Sequence, residues 1–447
     1  MPDARGVAIT GVGLVLPTGT GLAAADPVFA GRSAVCRLNG TVGLAGAIGA
    51  PASGFVPPAG TDGEDRAVQM AAAAADEAWR GAGLDVDRPP ADRVAVLVSL
   101  SKGGVFALAD WAGQGDARPT AVGPVHARRV SAPAAKPSAP EHPRGGYGDP
   151  PRFPCCPASS CGWEIARADP SAAGRCLAAR FGLSGPIVTP VTACASGGHA
   201  LAWAAGLIRR GTVDVALVGA AEASLHPLVL GGYRRMGVLA GAGPDPSTAV
   251  RPFSATRRGF AVGEGAGVLV LESRPSAARR GVRPLARVTG WATGCHGAGL
   301  TDVETDGRVL GRLIGDALAR AAAAPEDVDY VHAHGTATRA GDAAEARAVR
   351  AALGPAADGV SVSSTKGAHG HLLGAATAVE TVLAVLAIGR ACVPPTANLT
   401  DPDPAIALDC TPLAPRRRRI RRAVKIAAGF GGQMVAIVLA AREGDAR

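Results

Sequence analysis

The sequence predicts an α/β chain built from two similar halves, on three observations. Short apolar runs alternate with longer Ala-rich periodic segments along most of the 447 residues, which implies largely parallel sheets covered by helices on both faces. Hydrophobic residues are 47% of the chain but aromatics only 4%, so the core has to be made from Ala, Val and Leu with backbones in close approach. A strand, a tight Gly/Ser/Thr-rich turn and a long Ala-rich helix occur twice, once delivering Cys194 and once His371. The likeness is one of layout, without a residue-level repeat. A hydrophilic link near Ser273 divides residues 1–273 from 274–447.

In chain order, Val7 to Gly13 alternates like a strand, and Pro17 to Gly21 is a turn. Arg66 to Gly81 has helical periodicity, and Val94 to Val98 is a buried strand ending at Ser99 to Gly104. From about 117 to 157 the composition shifts to Pro, Arg, Ala and Gly. A loop of ~40 residues is far longer than an ordinary connection, so it is either a functional cover or a disordered insertion. Ser171 to Phe181 reads as a helix and Pro186 to Thr189 as a short buried strand. From Gly197 a helix carries Leu201, Trp203, Ala204, Leu207 and Ile208 along one apolar side, closing at Arg209-Arg210-Gly211. Strands follow at Val213–Val218 and Val268–Leu271. The second half holds strands at Leu285–Val288, Val328–His332 and Gly359–Ser363, helices at Gly307–Ala323 and Asp342–Leu353 and from His371, and a hairpin over Val424–Leu439.

His371 to Arg390 is the nearest approach to a membrane span, but Glu380 interrupts it and it reads as a buried core helix. The first residues lack a signal peptide's basic-then-apolar layout, so a cytoplasmic protein is expected. Nine scattered cysteines argue for reduced thiols. Cys155, Cys156 and Cys161, with His142 nearby, lack paired C-x-x-C spacing, so no metal site is assigned. Net charge is +9, and its densest run is Arg416 to Arg422. That run is either a solvated loop or a dock for an acidic partner. Nucleic acid is disfavoured, because no aromatics interleave with the arginines.

The candidate chemistry starts at Thr192-Ala193-Cys194-Ala195-Ser196-Gly197. A thiol in a sharp turn at a helix N-terminus faces free N–H groups and the positive dipole end, which favour thiolate. His334 leaves an apolar strand beside Gly335, where an imidazole can project into a cleft. His371 is expected to begin its own helix, where the dipole disfavours imidazolium and leaves a neutral donor. Lys366 lies in the preceding turn and could hold a carboxylate.

These stretches, with His334-Gly335-Thr336-x-Thr338-x-x-Gly341-Asp342, Gly370-His371-x-x-Gly374-Ala375 and Gly429-Phe430-Gly431-Gly432, resemble the β-ketoacyl-acyl-carrier-protein synthases. The likeness runs over nearly the whole chain and is strongest to the elongating ketosynthases of type II fatty-acid and polyketide pathways. It implies the thiolase fold, a five-layer αβαβα sandwich of two related halves. It also implies a homodimer, or a heterodimer with a ketosynthase-like subunit. The implied reaction is a decarboxylative condensation of an acyl group on Cys194 with a malonyl thioester. The substrates would be carried on the phosphopantetheine of a separate acyl carrier protein, with no bound cofactor, no nucleic acid and no membrane. The resemblance gives Cys194 and Phe430 N–H groups to an oxyanion hole, His334 and His371 to enolate stabilisation, and Phe430 to a gate. Lys366, paired with Glu345 or Asp342, would order the histidines, while Thr336, Thr338, Gly431 and Gly432 would hold substrate.

The chain departs from that pattern at several points. Gln433-Met434 stands where Thr-Asn often follows the terminal glycines, Ala427-Ala428 replaces a Ser-Phe-like pair, and Ser254 stands where Asp is common. Three rivals are a chain-length-factor-like subunit without catalysis, a Cys/His acyltransferase that does not decarboxylate, and a thiolase. The first lacks a nucleophilic cysteine. The last wants a second cysteine in the terminal Gly-rich loop, and Gly429 to Gly432 has none.

Overall fold

In the computed structural model, residues 6–38, 46–104 and 169–443 are described. The 117–157 stretch and Cys155, Cys156 and Cys161 lie outside them. The first half contributes β1 (Val7–Leu16), β2 (Val94–Leu100), β3 (Val215–Glu222) and β4 (Gly265–Ser273). The second contributes β5 (Ala286–Cys295), β6 (Tyr330–His332), β7 (Ser361–Ser363), β8 (Arg422–Ala428) and β9 (Gln433–Ala440). The helices are α1 (Arg66–Gly81), α2 (Ala172–Phe181), α3 (Ser196–Arg209), α4 (Pro227–Arg235), α5 (Arg308–Arg320), α6 (Arg339–Leu353), α7 (Lys366–His369) and α8 (Ala376–Arg390).

The strands lie in the order β7-β6-β8-β9-β5-β1-β4-β3-β2, and a parallel bridge from Val96 to Ile187 extends the β2 edge. Counting that bridge as a strand, each half has one order in its own numbering: third, second, fourth, fifth, first. Cys194 follows the third strand of one half, and Lys366 and His371 follow the third strand of the other. The repeated layout is thus a repeated topology. The expectation of largely parallel sheets is corrected. β2 is parallel to β3, and β6 to β7 and β8, but β1, β4, β5 and β9 pair antiparallel. The hairpin β8–β9 turns within four residues, too short for a parallel crossover.

Side-chain alternation sorts the core into layers. Val94, Val96 and Val98 face α1 and α2, whereas Ala95 and Leu97 face the central helices α3 and α8. In the second half Val424 and Ile426 face α5 and α6, and Ala423 and Ala427 face the centre. The result is five layers, helix–sheet–helix–sheet–helix, as the thiolase fold requires. Close approach is built in where small residues meet. A Cβ on Gly11 or Gly13 would run into the Ala78 or Ala74 carbonyl of α1. Trp79 and Phe181 stack at 4.6 Å and join α1 to α2, and Asp65 caps α1 through Ala67 N–H at 2.9 Å.

Two local readings change. Pro186 to Thr189 makes only the one bridge, and Ile187 is 43% exposed because the segment lies at the sheet's edge. Trp203 is half exposed: Leu201, Ala204, Ala205 and Ile208 point inward, and position 203 lies about 200° round the helix from 201. The helix end does follow its sequence, with Gly211 at φ 73°.

The central helices touch at Gly197, where an added Cβ would lie 2.7 Å from Ala378 Cβ and 2.8 Å from Ala378 N. Gly231 in α4 has open space instead. Gly197→Ala is therefore expected to lower unfolding free energy by about 1–3 kcal/mol. Gly231→Ala should leave it within about 0.5 kcal/mol or raise it slightly, and urea denaturation of both variants checks the pair.

Candidate functional site

The turn that presents Cys194 is held from both sides. Ala193 takes φ 50°, a left-handed conformation that costs an L-residue roughly 1–2 kcal/mol. Ser196 Oγ secures it by donating to Ala193 O at 2.7 Å and accepting from Thr192 N–H at 2.9 Å. From the facing helix, Thr377 Oγ1 donates to Cys194 O at 2.9 Å. The thiol is buried, and burial pushes it up to about 11, against the pull of Lys102 and Lys366. A helix N-terminus is worth at most ~2 kcal/mol, about 1.5 pH units. The expected resting thiolate is thus corrected to a thiol.

His334 and His371 meet at ring centroids 5.4 Å apart, inclined by 82°. His371 Nδ1 accepts the Leu373 N–H at 3.2 Å, so the ring proton sits on Nε2. Its ring packs edge-on against Phe260 at 4.9 Å. The helix begins later than expected: His371 pairs like a strand residue with Val262, a 3-10 turn covers Leu373–Ala375, and α8 starts at Ala376. His371 is held neutral chiefly by burial, with the Lys366 charge second, and both causes also keep His334 well below the usual imidazole range. His334 Nδ1 is buried without a partner among the described residues.

Lys366 does not pair with Glu345 or Asp342. Its ammonium contacts Glu380 of α8 and donates to the His334 carbonyl, with both charged side chains fully buried. Glu345 lies on the other side of that strand exit, accepting from the His334 N–H and from Gly335 N–H at 2.7 Å. Asp342 accepts the Phe253 N–H at 2.8 Å and lies 3.7 Å from Arg257; burial pushes its carboxyl up to about 7. Sequence reasoning missed that Glu380 is the partner and missed Lys425, whose Nζ lies 2.6 Å from Glu380 Oε2. The signal was there: a lone Glu in an apolar helix and a lone Lys in an apolar strand must find opposite charge.

A cavity of about 470 Å³ brings these groups together, with Cys194, His334, His371, Thr336, Thr338 and Phe430 on its wall. The Thr336 and Thr338 hydroxyls are 3.1 Å apart. Phe430 stacks on Tyr233 at 6.2 Å, and Tyr233 meets Phe260 at 5.7 Å. A Cβ on Gly429 would stand 3.1 Å from Cys194 N, so the terminal loop lies against the Cys194 backbone. Neither Cys194 N–H nor Phe430 N–H finds an acceptor among the described residues. Gly431 and Gly432 do not line the cavity. Gly431 N–H donates to Leu300 O at 2.7 Å, and Gly432, at φ 75°, leaves room for Cys295 and His296. Lys366 too stays behind the wall. No three His, Cys, Asp or Glu among the described residues converge as a metal would need.

The arginine run lies away from this cavity, none of its residues being on the wall. Arg422 starts β8 while Ala428 at its far end lines the cavity, about 20 Å away at strand rise. Arg416 is also paired with Asp409, Arg421 with Asp329 at 3.0 Å and Arg422 with Asp327 at 3.0 Å.

Residues 160–277 match the model of the β-ketoacyl synthase N-terminal domain, and residues 285–400 that of the C-terminal domain. A putative polyketide β-ketoacyl synthase 1 of Streptomyces cyaneus is 34% identical over 99% of this chain and all of its own length. The chain belongs to the β-ketoacyl synthase family. A 3-oxoacyl-[acyl-carrier-protein] synthase 2 of Synechocystis is 40% identical over 58% of this chain and 62% of its own. Among solved structures, a type II polyketide ketosynthase bound to a hexaketide and complexed with its acyl-carrier protein superposes with TM-score 0.83, at 29% identity. That match covers 98% of this chain and all of the other. An ishigamide ketosynthase/chain length factor superposes with TM-score 0.81 at 29% identity, over 98% and 99%. Among the described residues one helical stretch, Leu373–Arg390, is long and apolar enough to cross a membrane; it is 78% buried and is a core helix of this fold.

Because only the thiolate attacks an alkylating agent, a thiol near 11 sets a pH law. Iodoacetamide labelling of Cys194, followed by peptide mass spectrometry, should accelerate about tenfold per pH unit from 7 to 9. A plateau below pH 8 would mean a depressed thiol.

Proposed function

We propose that this chain is a catalytic β-ketoacyl synthase that condenses an acyl group held on Cys194 with malonyl-carrier protein, releasing CO₂. The observation that supports it is the convergence on one cavity of a buried thiol, two neutral imidazoles and the residues Cys194 and Phe430, whose backbone N–H groups have no acceptor among the described residues. In the first half-reaction Cys194 Sγ attacks the thioester carbonyl. The oxyanion is stabilised by the Cys194 and Phe430 N–H groups, and the carrier thiol leaves with the cysteine proton. In the second, the malonyl Cα–CO₂ bond breaks and its electron pair becomes an enolate. His371 Nε2–H and the His334 imidazole donate to the enolate oxygen. The enolate carbon then attacks the acyl-cysteine carbonyl, the C–S bond breaks with its electron pair on Cys194 Sγ, which takes a proton from water to restore the thiol, and a 3-oxoacyl thioester departs.

Uncharged donors suit this step, since an enolate is stabilised without being protonated outright. The Thr336 and Thr338 hydroxyls are assigned to the pantetheine amides, and Phe430 to the gate between the half-reactions. Lys366, Glu345 and Asp342 are assigned to ordering the loops that carry the histidines. We assign the chain to a type II polyketide or specialised fatty-acid pathway in the cytoplasm, with a separate carrier protein and a second ketosynthase-type subunit, identical or not, as its partners; the polyketide β-ketoacyl synthases among its relatives support the pathway. The halves would divide near Ser273.

A chain-length-factor role is the second reading, because one of the similar structures, the ishigamide ketosynthase/chain length factor, contains such a subunit. Cys194 with its open oxyanion donors argues for catalysis instead. Intact mass after mixing with an acyl-carrier protein should show one acyl group, lost in Cys194→Ala. His371→Ala should keep that acylation within about threefold, but CO₂ release from the malonyl-carrier should drop at least ~100-fold. Absence of any adduct on the native chain would favour the non-catalytic subunit, and an adduct without CO₂ release the plain acyltransferase.

A further inference from the structure

Lys425 is a fully buried charge that the proposed chemistry leaves without a role. It stands in the middle of Arg422-Ala423-Val424-Lys425-Ile426-Ala427, where alternation puts it on the central face with Ala423 and Ala427. That face is otherwise apolar, and the two alanines leave room for a long side chain over α8. Lys425 is fully buried, and its ammonium touches three chain segments. Besides the ion pair to Glu380 of α8, it donates to Ile426 O at 2.7 Å in β8, to Ala333 O at 3.1 Å, and more weakly to His332 O at 3.4 Å. Those last two carbonyls immediately precede His334.

β6 is only three residues long, and beyond it the chain is held by contacts from several segments: Ala333 N–H donates to Ser363 O at 2.9 Å, Ser364 Oγ donates to Gly335 O at 2.8 Å, Glu345 accepts from the His334 and Gly335 N–H groups, and Lys366 donates to the His334 carbonyl. Both lysines end on the same carboxylate, one per oxygen, and Glu380 rides on the helix that follows His371. The loop with Phe430 differs, being closed by Gly429 N–H to Gln433 O at 2.7 Å and Gly431 N–H to Leu300 O at 2.7 Å.

We propose that Lys425 is a positioning residue for the condensation: through Ala333 O and Glu380 it fixes the exit of β6 relative to α8, and with it the placement of His334 against His371. The proposal rests on the condensation reading given above. It predicts that Lys425 matters to the half-reaction that uses the imidazole pair and little to the one that uses Cys194 and Phe430. A residue that only stabilised the fold would affect both alike.

The test compares the native chain with Lys425→Met, which keeps the length and removes the charge and donors, and with Lys425→Gln, which keeps an N–H donor. Cys194 acylation by acetyl-pantetheine is followed by peptide mass spectrometry, CO₂ release from malonyl-pantetheine by kinetics, and stability by urea unfolding. In Lys425→Met the kcat for CO₂ release should fall at least about tenfold, with KM within about twofold and acylation within about threefold. Lys425→Gln should recover part of that kcat. An unchanged kcat in both variants overturns the proposal, and so does a parallel loss of acylation and CO₂ release that follows stability. If Lys425→Met does not fold, Lys425→Gln carries the same comparison. If the native chain is acylated but releases no CO₂, it is the condensation reading that fails. Crystal structures then decide the positioning role: the His334–His371 separation, 5.4 Å in the native chain, should change by more than about 0.5 Å in the folded variant. An unchanged separation overturns the proposal.

Discussion

The contact between α3 and α8 at Gly197 and Ala378 governs how near the two halves of the site can approach. Each helix is the continuation of a turn that presents a chemical group, Cys194 on one side and His371 on the other. With side chains reduced to hydrogen and methyl at the crossing, Thr377 can reach across to the Cys194 carbonyl. The low aromatic content has its purpose here. Bulky rings between these helices would hold the sulfur and the imidazoles apart, whereas an alanine-rich centre lets backbones meet and leaves the rings Phe260 and Phe430 for the cavity wall, with Tyr233 packed against both.

Burial dominates the electrostatics of the pocket. It raises the thiol and lowers both imidazoles, so Cys194, His334 and His371 rest uncharged. Behind the cavity wall a cluster of charges, Lys366, Glu380 and Lys425, is fully enclosed. A buried ion cluster is weak as a source of stability, because desolvation offsets most of the attraction. Its value here is geometric, since charged donors hold the carbonyls around His334 in a stretch with little secondary structure.

Much of this was legible in the chain itself. The nucleophile, both histidines, the threonines and the terminal loop were marked by local motifs, since each needs a particular turn next to a particular side chain. Pairings across the fold were not. Lys366 sits 14 residues from Glu380, but the intervening stretch reads as turn and helix, and nothing in spacing distinguishes Glu380 from Glu345 as its partner. The resting thiol also escaped the sequence, because the depth of Cys194 is set by packing from residues far along the chain. Strand direction was misjudged for a similar reason: alternating strands and helices describe order along the chain, and neighbours in the sheet are chosen by the whole topology.

The two half-sheets share one strand order, and the third strand of each is followed by a chemically loaded turn. One copy has kept the sulfur and the other the imidazoles, so the paired architecture divides labour between equivalent places. For the proposed condensation, neither copy on its own contains an electrophile-capturing atom together with the means to generate a carbanion. The reactivity proposed for this chain is a property of the seam, set by how one copy sits on its sibling.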